Sequence, residues 1–226
     1  MMTRHLNADI SFCELDGRLF FLDIQNDRYF QLSKALERSF LSYLESPGGT
    51  SAVVTSLLRH NLLSQTTTVP SDGSVAGVTH PSESAIEVSC ADSRTSLDVA
   101  RDVVLAVVIT CWQLKMRRLK SALQTLADYR DSRTSPSVGD QVELRQRLSE
   151  AAAAFTRVRP YVPIEARCLI DSLSMVRFLA KRGLHAHLVM GVACDPFSAH
   201  AWVQHGPLVL NETVGTAQAY VPIRVI

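Results

Sequence analysis

The sequence predicts an α+β protein of two modules, with three strands and then two helices over residues 1–63, and helices leading into strands over 97–226. Three observations predict it. Short β-like runs separated by turn residues fill the first thirty-odd positions, so the chain opens as an antiparallel meander. Residues 64–96 are rich in Ser, Thr, Gly and Pro without sustained periodicity, the composition of a linker. Beyond them, stretches of helical period give way to one continuous apolar run and one alternating run, which suits a second α+β unit.

The meander reads as Ile10 to Glu14, Leu19 to Ile24 and Tyr29 to Leu32, with Asp16-Gly17 and Gln25-Asn26-Asp27 as the turns. Ser33 can cap a first helix whose apolar positions Leu36, Phe40, Leu41 and Leu44 repeat at helical spacing, and Pro47-Gly48-Gly49 stops it. A second helix fits Thr50 to Leu63 with Val53, Val54, Leu57 and Leu58 inward. After the linker, Leu97 to Asp131 reads as one long helix with Val104, Val108, Cys111 and Leu114 along one face, and Arg117, Arg118 and Lys120 as a solvated basic end. Val142 to Val158 is another amphipathic, alanine-rich helix, and Pro160 to Pro163 breaks the chain. The next helix opens near Cys168, buries Leu169, Leu173, Val176 and Ala180, and stops at Lys181-Arg182-Gly183. Ala186 to Ala193 is a buried strand. Ala199 to Gln204 alternates, with His200, Trp202 and Gln204 on one face.

Composition narrows the function. A formal net charge of +1 on 226 residues offers no general attraction to nucleic acid. The apolar run from Val103 to Trp112 is about half the length needed to span a bilayer, so no membrane segment is expected. Five scattered cysteines, Cys13, Cys90, Cys111, Cys168 and Cys194, form no CxxC pair and no metal-ligand spacing, which suits reduced thiols in the cytoplasm and no metal site.

Cys168 differs from the other four by its place. At a helix start it sits at the positive end of the dipole, Arg167 beside it would add to the effect, and His200 follows on a strand, so a thiolate–imidazolium pair for acyl chemistry can form. The imidazole needs an orienting partner. A two-residue turn at Gly206-Pro207 pairs Gln204 with Val209 and puts Asn211 on the face of His200, whereas an odd-length loop brings Glu212 opposite it.

The string Cys168-Leu-Ile-Asp-Ser-Leu, Arg-Gly183, Gly191-Val, Pro196-Phe-Ser-Ala-His200-Ala-Trp202-Val and Leu210-Asn211-Glu212 resembles the transglutaminase-like peptidase of lasso peptide biosynthesis B proteins. Phe21-Leu-Asp-Ile-Gln-Asn-Asp-Arg-Tyr29-Phe-Gln-Leu32 resembles the leader-recognition element of the same proteins, a winged helix-turn-helix relative of the pyrroloquinoline quinone biosynthesis peptide chaperone. The resemblance implies a winged-helix-like module at 1–63, a linker at 64–96 and a transglutaminase/papain-like α+β cysteine peptidase at 97–226. It implies a leader peptidase that binds the precursor peptide and cuts leader from core, without metal or organic cofactor. Cys168 would be the nucleophile, His200 the base, and Glu212 or Asn211 the orienting group; the family typically carries aspartate where Glu212 stands. Tyr29, Phe30, Gln31 and Leu57 would meet the leader, and Trp202 would line the groove beside the nucleophile. An ATP-dependent, asparagine synthetase-like lasso cyclase would be the partner that closes the ring.

Other classes compete. A cysteine on an apolar helix is more often core than nucleophile, the reading that fits Cys111 and Cys13, and His185, His187 and His205 read as surface or satisfied core. Trp202 fits packing as well as it fits a groove. A winged helix could serve a DNA-binding regulator, yet the helix from Thr50 offers only Arg59 and His60 as cations. The cysteine could instead serve an acyltransferase or amide cross-linker, or the chain could carry peptide without cutting it.

Overall fold

A computed structural model describes residues 5–45, 51–64, 78–87, 96–134 and 141–226. The chain forms two compact units, 1–76 and 77–226.

In the first unit, β1 (His5–Leu6) precedes an antiparallel sheet of β2 (Ile10–Leu15), β3 (Arg18–Asp23) and β4 (Arg28–Phe30), with β3 central and β4 last in order among the described residues. Asp16 and Gly17 have φ of 51° and 71°, the left-handed pair that a two-residue hairpin needs to bring Leu15 opposite Arg18. Buried Asp23 organises the next turn by accepting the N–H groups of Gln25 and Asn26, and by pairing with Arg28. Phe21, fully buried, meets the rings of Phe12, Phe30 and Phe40, and burying a ring of that size contributes roughly 1.5–3 kcal/mol. Helices α1 (Lys34–Glu45) and α2 (Ser51–Arg59) cover the sheet.

Two expectations change here. The inward face of α1 is Leu36, Phe40 and Tyr43, while Leu41 and Leu44 are exposed, because Tyr43 supplies the apolar body at the next inward turn. Helix α2 ends at Arg59 rather than at residue 63: Asn61 turns left-handed at φ 60°, and β5 (Leu63–Ser64) pairs with β1. The stop at 47–49 lies outside the described residues.

The second unit centres on α6 (Cys168–Ala180). That helix packs against α3 (Leu97–Met116), α4 (Leu119–Asp131) and α5 (Gln141–Val158), and against a five-stranded sheet. The strands are β6 (Glu83–Ser84), β7 (His187–Ala193), β8 (Ser198–His205), β9 (Leu208–Val209) and β10 (Val221–Val225), in the order β10-β7-β8-β9-β6. A 3₁₀ turn, Arg159–Tyr161, follows α5, and α7 (Val214–Gln218) precedes β10.

The helix expected over 97–131 is two helices. Arg117 and Arg118 take extended backbone, ψ 157° and 150°, and turn α4 back. The buried face of α3 is Val103, Ala106, Val107 and Thr110, one position off the expected stripe, because apolar side chains surround the helix and its period cannot select a face. The expected linker also shrinks. Residues 78–87 belong to the second unit, where β6 runs parallel to β9, the Thr79 carbonyl accepts from Gln204, and Glu83 pairs with Arg145. An edge strand of two residues leaves no periodic trace in a sequence. No helix among the described residues is long and apolar enough to cross a membrane.

Candidate active site

The second unit brings Cys168 and His200 together from a helix and a strand. Arg167, in extended backbone, is the N-cap of α6, so Cys168 is its first helical residue. His200 comes from β8, opposite Gly191 of β7. His200 Nε2–H donates to Glu212 Oε1 at 3.0 Å, which leaves Nδ1 for the Cys168 thiol, the group whose influence on the imidazole is largest. Cys168 is exposed, whereas His200 and Glu212 are partly covered.

The electrostatics favour charge separation. The hydrogen bond to His200 is the main influence holding the Cys168 thiol below its ordinary range, against burial, with further help from the Ala201 and Leu169 backbone. His200 is raised in turn by its bond to Cys168, against burial, and by the Glu212 carboxylate. Both shifts run toward the thiolate–imidazolium form of the pair.

Two aromatic side chains neighbour the imidazole. Trp202 lies near-parallel to it at 6.3 Å between centroids, and Tyr220 lies tilted at 5.0 Å. Gly191 makes room for both, since a Cβ there would meet Trp202 Cζ3 at 2.8 Å and Tyr220 Cβ at 3.0 Å. Trp202 Nε1–H donates to Gln204 Oε1, and Gln204 donates to the carbonyls of Thr79 and Gly206, so this buried polar edge is satisfied. Beside Cys168 opens a cavity of about 320 Å³, lined by Phe155, Arg159, Asp171, Met175 and Glu212 among others. Arg159 Nε–H donates to Asp171 Oδ1 at 2.6 Å, and Arg159 also donates to the carbonyls of Val162 and Glu165. Burial nevertheless raises Asp171 above its ordinary range.

The two-residue turn at Gly206-Pro207 is present, with Gln204 opposite Val209, yet the residue at His200 is Glu212. The ladder ends after Leu210, whose N–H still donates to Val203 O, and alternation no longer governs side-chain direction past that point. Asn211 turns elsewhere: it accepts from the Val203 N–H at 2.7 Å and donates to Ser172 Oγ at 2.8 Å. Ser84 Oγ–H donates to the Glu212 carbonyl and fixes the acid's backbone. Arg167 does not assist the thiolate, because its guanidinium is bonded to Glu165 at 2.6 Å and both side chains are largely in solvent. Trp202 is fully buried and so supports the imidazole rather than lining the groove.

Of the expected leader contacts in the first unit, Leu57 is fully buried in the core and has no surface to offer. Phe30 packs partly into that core, Tyr29 is half-buried opposite Leu22, and Gln31 is exposed and bonded to Arg18. Phe30 and Gln31 line a groove of about 510 Å³ with Arg28, Leu36, Ser56 and His60 among its other walls. Cys13 is buried, which pushes its thiol up to about 11, and Cys111 is half-buried; Cys90 lies outside the described residues. His185 and His187 stack edge-on at 4.8 Å and His205 bonds the His185 carbonyl.

Ser172, Tyr220 and the Arg159–Asp171 pair were not singled out from sequence. Ser172 alone left a usable signal, a small polar residue one turn after Cys168 on the same helix face.

Residues 91–225, more than half of the chain, match the family model of the transglutaminase-like superfamily. The chain is also similar to the microcin J25-processing protein McjB of Escherichia coli, 44% identical over 45 residues. That match covers 20% of this chain and spans 22% of the relative's length. No solved structure matches the chain significantly.

Proposed function

Because the chain belongs to the transglutaminase-like superfamily, we propose that it is a cysteine peptidase of lasso peptide maturation that frees the core of a ribosomally made precursor from its leader. The observation that carries the reading is the series Cys168, His200 and Glu212, in which the imidazole bonds the carboxylate and lowers the thiol, with Cys168 beside an open cavity. The Cys168 thiolate adds to the carbonyl carbon at the leader–core junction. His200 gives its proton to the departing amine nitrogen, and a thioester to Cys168 remains. Neutral His200 then takes a proton from water, whose oxygen attacks the thioester and releases the leader carboxylate and the thiolate. Glu212 holds the ring and stabilises the imidazolium.

The first unit supports leader capture. Among the described residues β4 stands last in its sheet, and the groove beside it offers apolar walls at Phe30, Leu32 and Leu36 with polar rims at Arg28, Ser56 and His60. An extended leader adds there as a strand and raises the local concentration of the scissile bond. The freed core amine then suits an ATP-dependent cyclase of the asparagine synthetase-like type.

The test is mass spectrometry of precursor incubated with the wild-type chain and with Cys168→Ala, His200→Ala and the double variant. Cleavage should vanish in each, the double variant being no worse than Cys168→Ala alone, with leader binding by calorimetry unchanged. Cleavage by Cys168→Ala near the wild-type rate would sink the mechanism. A product joined to an amine, in place of one carrying water, would make the chain a cross-linker.

A further inference from the structure

We infer that Ser172 and Asn211 are positioning residues that set the approach of Cys168 to His200. Each sits next to a different part of the reacting series. Ser172 lies one helical turn after Cys168 on the same face of α6, Asn211 immediately precedes Glu212, and both bond to the backbone of β8 around His200. Ser172 Oγ–H donates to the Ala201 carbonyl at 2.9 Å and the same oxygen accepts from Asn211 Nδ2 at 2.8 Å, while Asn211 Oδ1 accepts from Val203 N–H at 2.7 Å. A continuous run of three bonds thereby ties the helix of the nucleophile, the strand of the base and the segment of the acid.

The polar bonds carry information that packing alone would not. Ser172 is fully buried, as are its α6 neighbours Leu173 and Val176, and an apolar side chain in its place would fill the space but let α6 slide along β8. A buried hydroxyl with one donor and one acceptor partner fixes both distance and register, because any slip leaves a buried group unpaired. Asn211 presents both ends of its amide to opposite partners, so it spans the gap at one separation only. Ser174 supplies the internal comparison: equally buried on α6, it bonds the Ile170 carbonyl of its own helix.

The inference rests on Cys168, His200 and Glu212 being the working site, and its test needs no precursor. The rate of Cys168 alkylation by iodoacetamide is followed against pH, with the modified residue identified by peptide mass spectrometry, so that the other cysteines do not contribute. In the wild type, Cys168 should react well below the pH at which an ordinary thiol does. Ser172→Ala and Asn211→Ala should each raise the midpoint by about one pH unit, a loss of roughly tenfold in rate on the acid side, and the double variant should do no more than either single one. Ser172→Thr, which keeps the hydroxyl, should restore most of the profile, and Ser174→Ala should leave it unmoved. Midpoints unchanged in folded Ser172→Ala and Asn211→Ala overturn the positioning role, as does an equal shift in Ser174→Ala. Should Ser172→Ala fail to fold, half-buried Asn211→Ala decides the matter alone. A wild-type Cys168 with an ordinary thiol profile overturns the peptidase reading instead.

Discussion

Gly191→Ala is the smallest change that should reach His200 without touching it. The added Cβ would stand 2.8 Å from Trp202 Cζ3, 2.9 Å from Cη2 and 3.0 Å from Tyr220 Cβ, whereas carbon atoms rest at about 3.5 Å or more. The indole must therefore retreat by roughly 0.7 Å, and it is fully buried, so its neighbours must move with it. Overpacking of this kind costs about 1–3 kcal/mol, or roughly 3–10 °C in melting temperature for a unit of this size. The catalytic loss should exceed what stability explains. Trp202 and Tyr220 both neighbour the His200 ring, and displacement of a reacting group by ~1 Å can reduce rate by about a hundredfold. A double-mutant cycle isolates the contact. Trp202→Phe removes the part of the ring that the added methyl group would strike, so the pair Gly191→Ala/Trp202→Phe should be less destabilised than the sum of its parts by about 1 kcal/mol or more. Strict additivity, or a Gly191→Ala protein with wild-type melting and turnover, would refute the reasoning.

The placement of Cys168 and His200 is more legible in the sequence than the scaffold around them. Cys168 and His200 were legible because each stands at a place that physical chemistry marks, a helix start and an alternating strand, and because the spacing of many residues matched at once. Glu212 stayed unresolved against Asn211 because register fixes side-chain direction only while the ladder lasts, and this one ends at Leu210. The face of α3 was misread for the opposite reason. Val103 to Ile109 is apolar at nearly every position, so stripes one residue apart score alike and tertiary packing chooses between them. The segment 78–87 shows a third limit: what docks it is mainly backbone carbonyls and an ion pair, which no hydrophobic pattern records.

Two further outcomes arise from the charges of the second unit. Glu212→Gln keeps a bond to His200 Nε2 but removes the charge that favours the imidazolium, so the His200 limb of the pH–rate profile should move to lower pH and kcat/KM should fall about tenfold; profiles that coincide with wild type would remove Glu212 from the mechanism. The second concerns acid stability. Burial foremost, and then the Arg130 charge, lowers His185 from 6.5 to about 4, and His187 is lowered beside it, also mainly by burial. Between these values the unfolded chain binds a proton that the folded chain refuses, so the contribution is complete above about pH 6.5 and is lost as pH falls toward 4. The shift corresponds to at most about 3 kcal/mol, and solvent screening of a half-buried ring reduces it. Asp131 acts in the opposite direction on His185, and His205 and His187 act with Arg130, so the response belongs to the cluster. Urea unfolding at pH 7.5 and at pH 4.5 should show the wild type losing more stability on acidification than His185→Gln. Equal losses in the two proteins would mean that the acid sensitivity arises elsewhere in the fold.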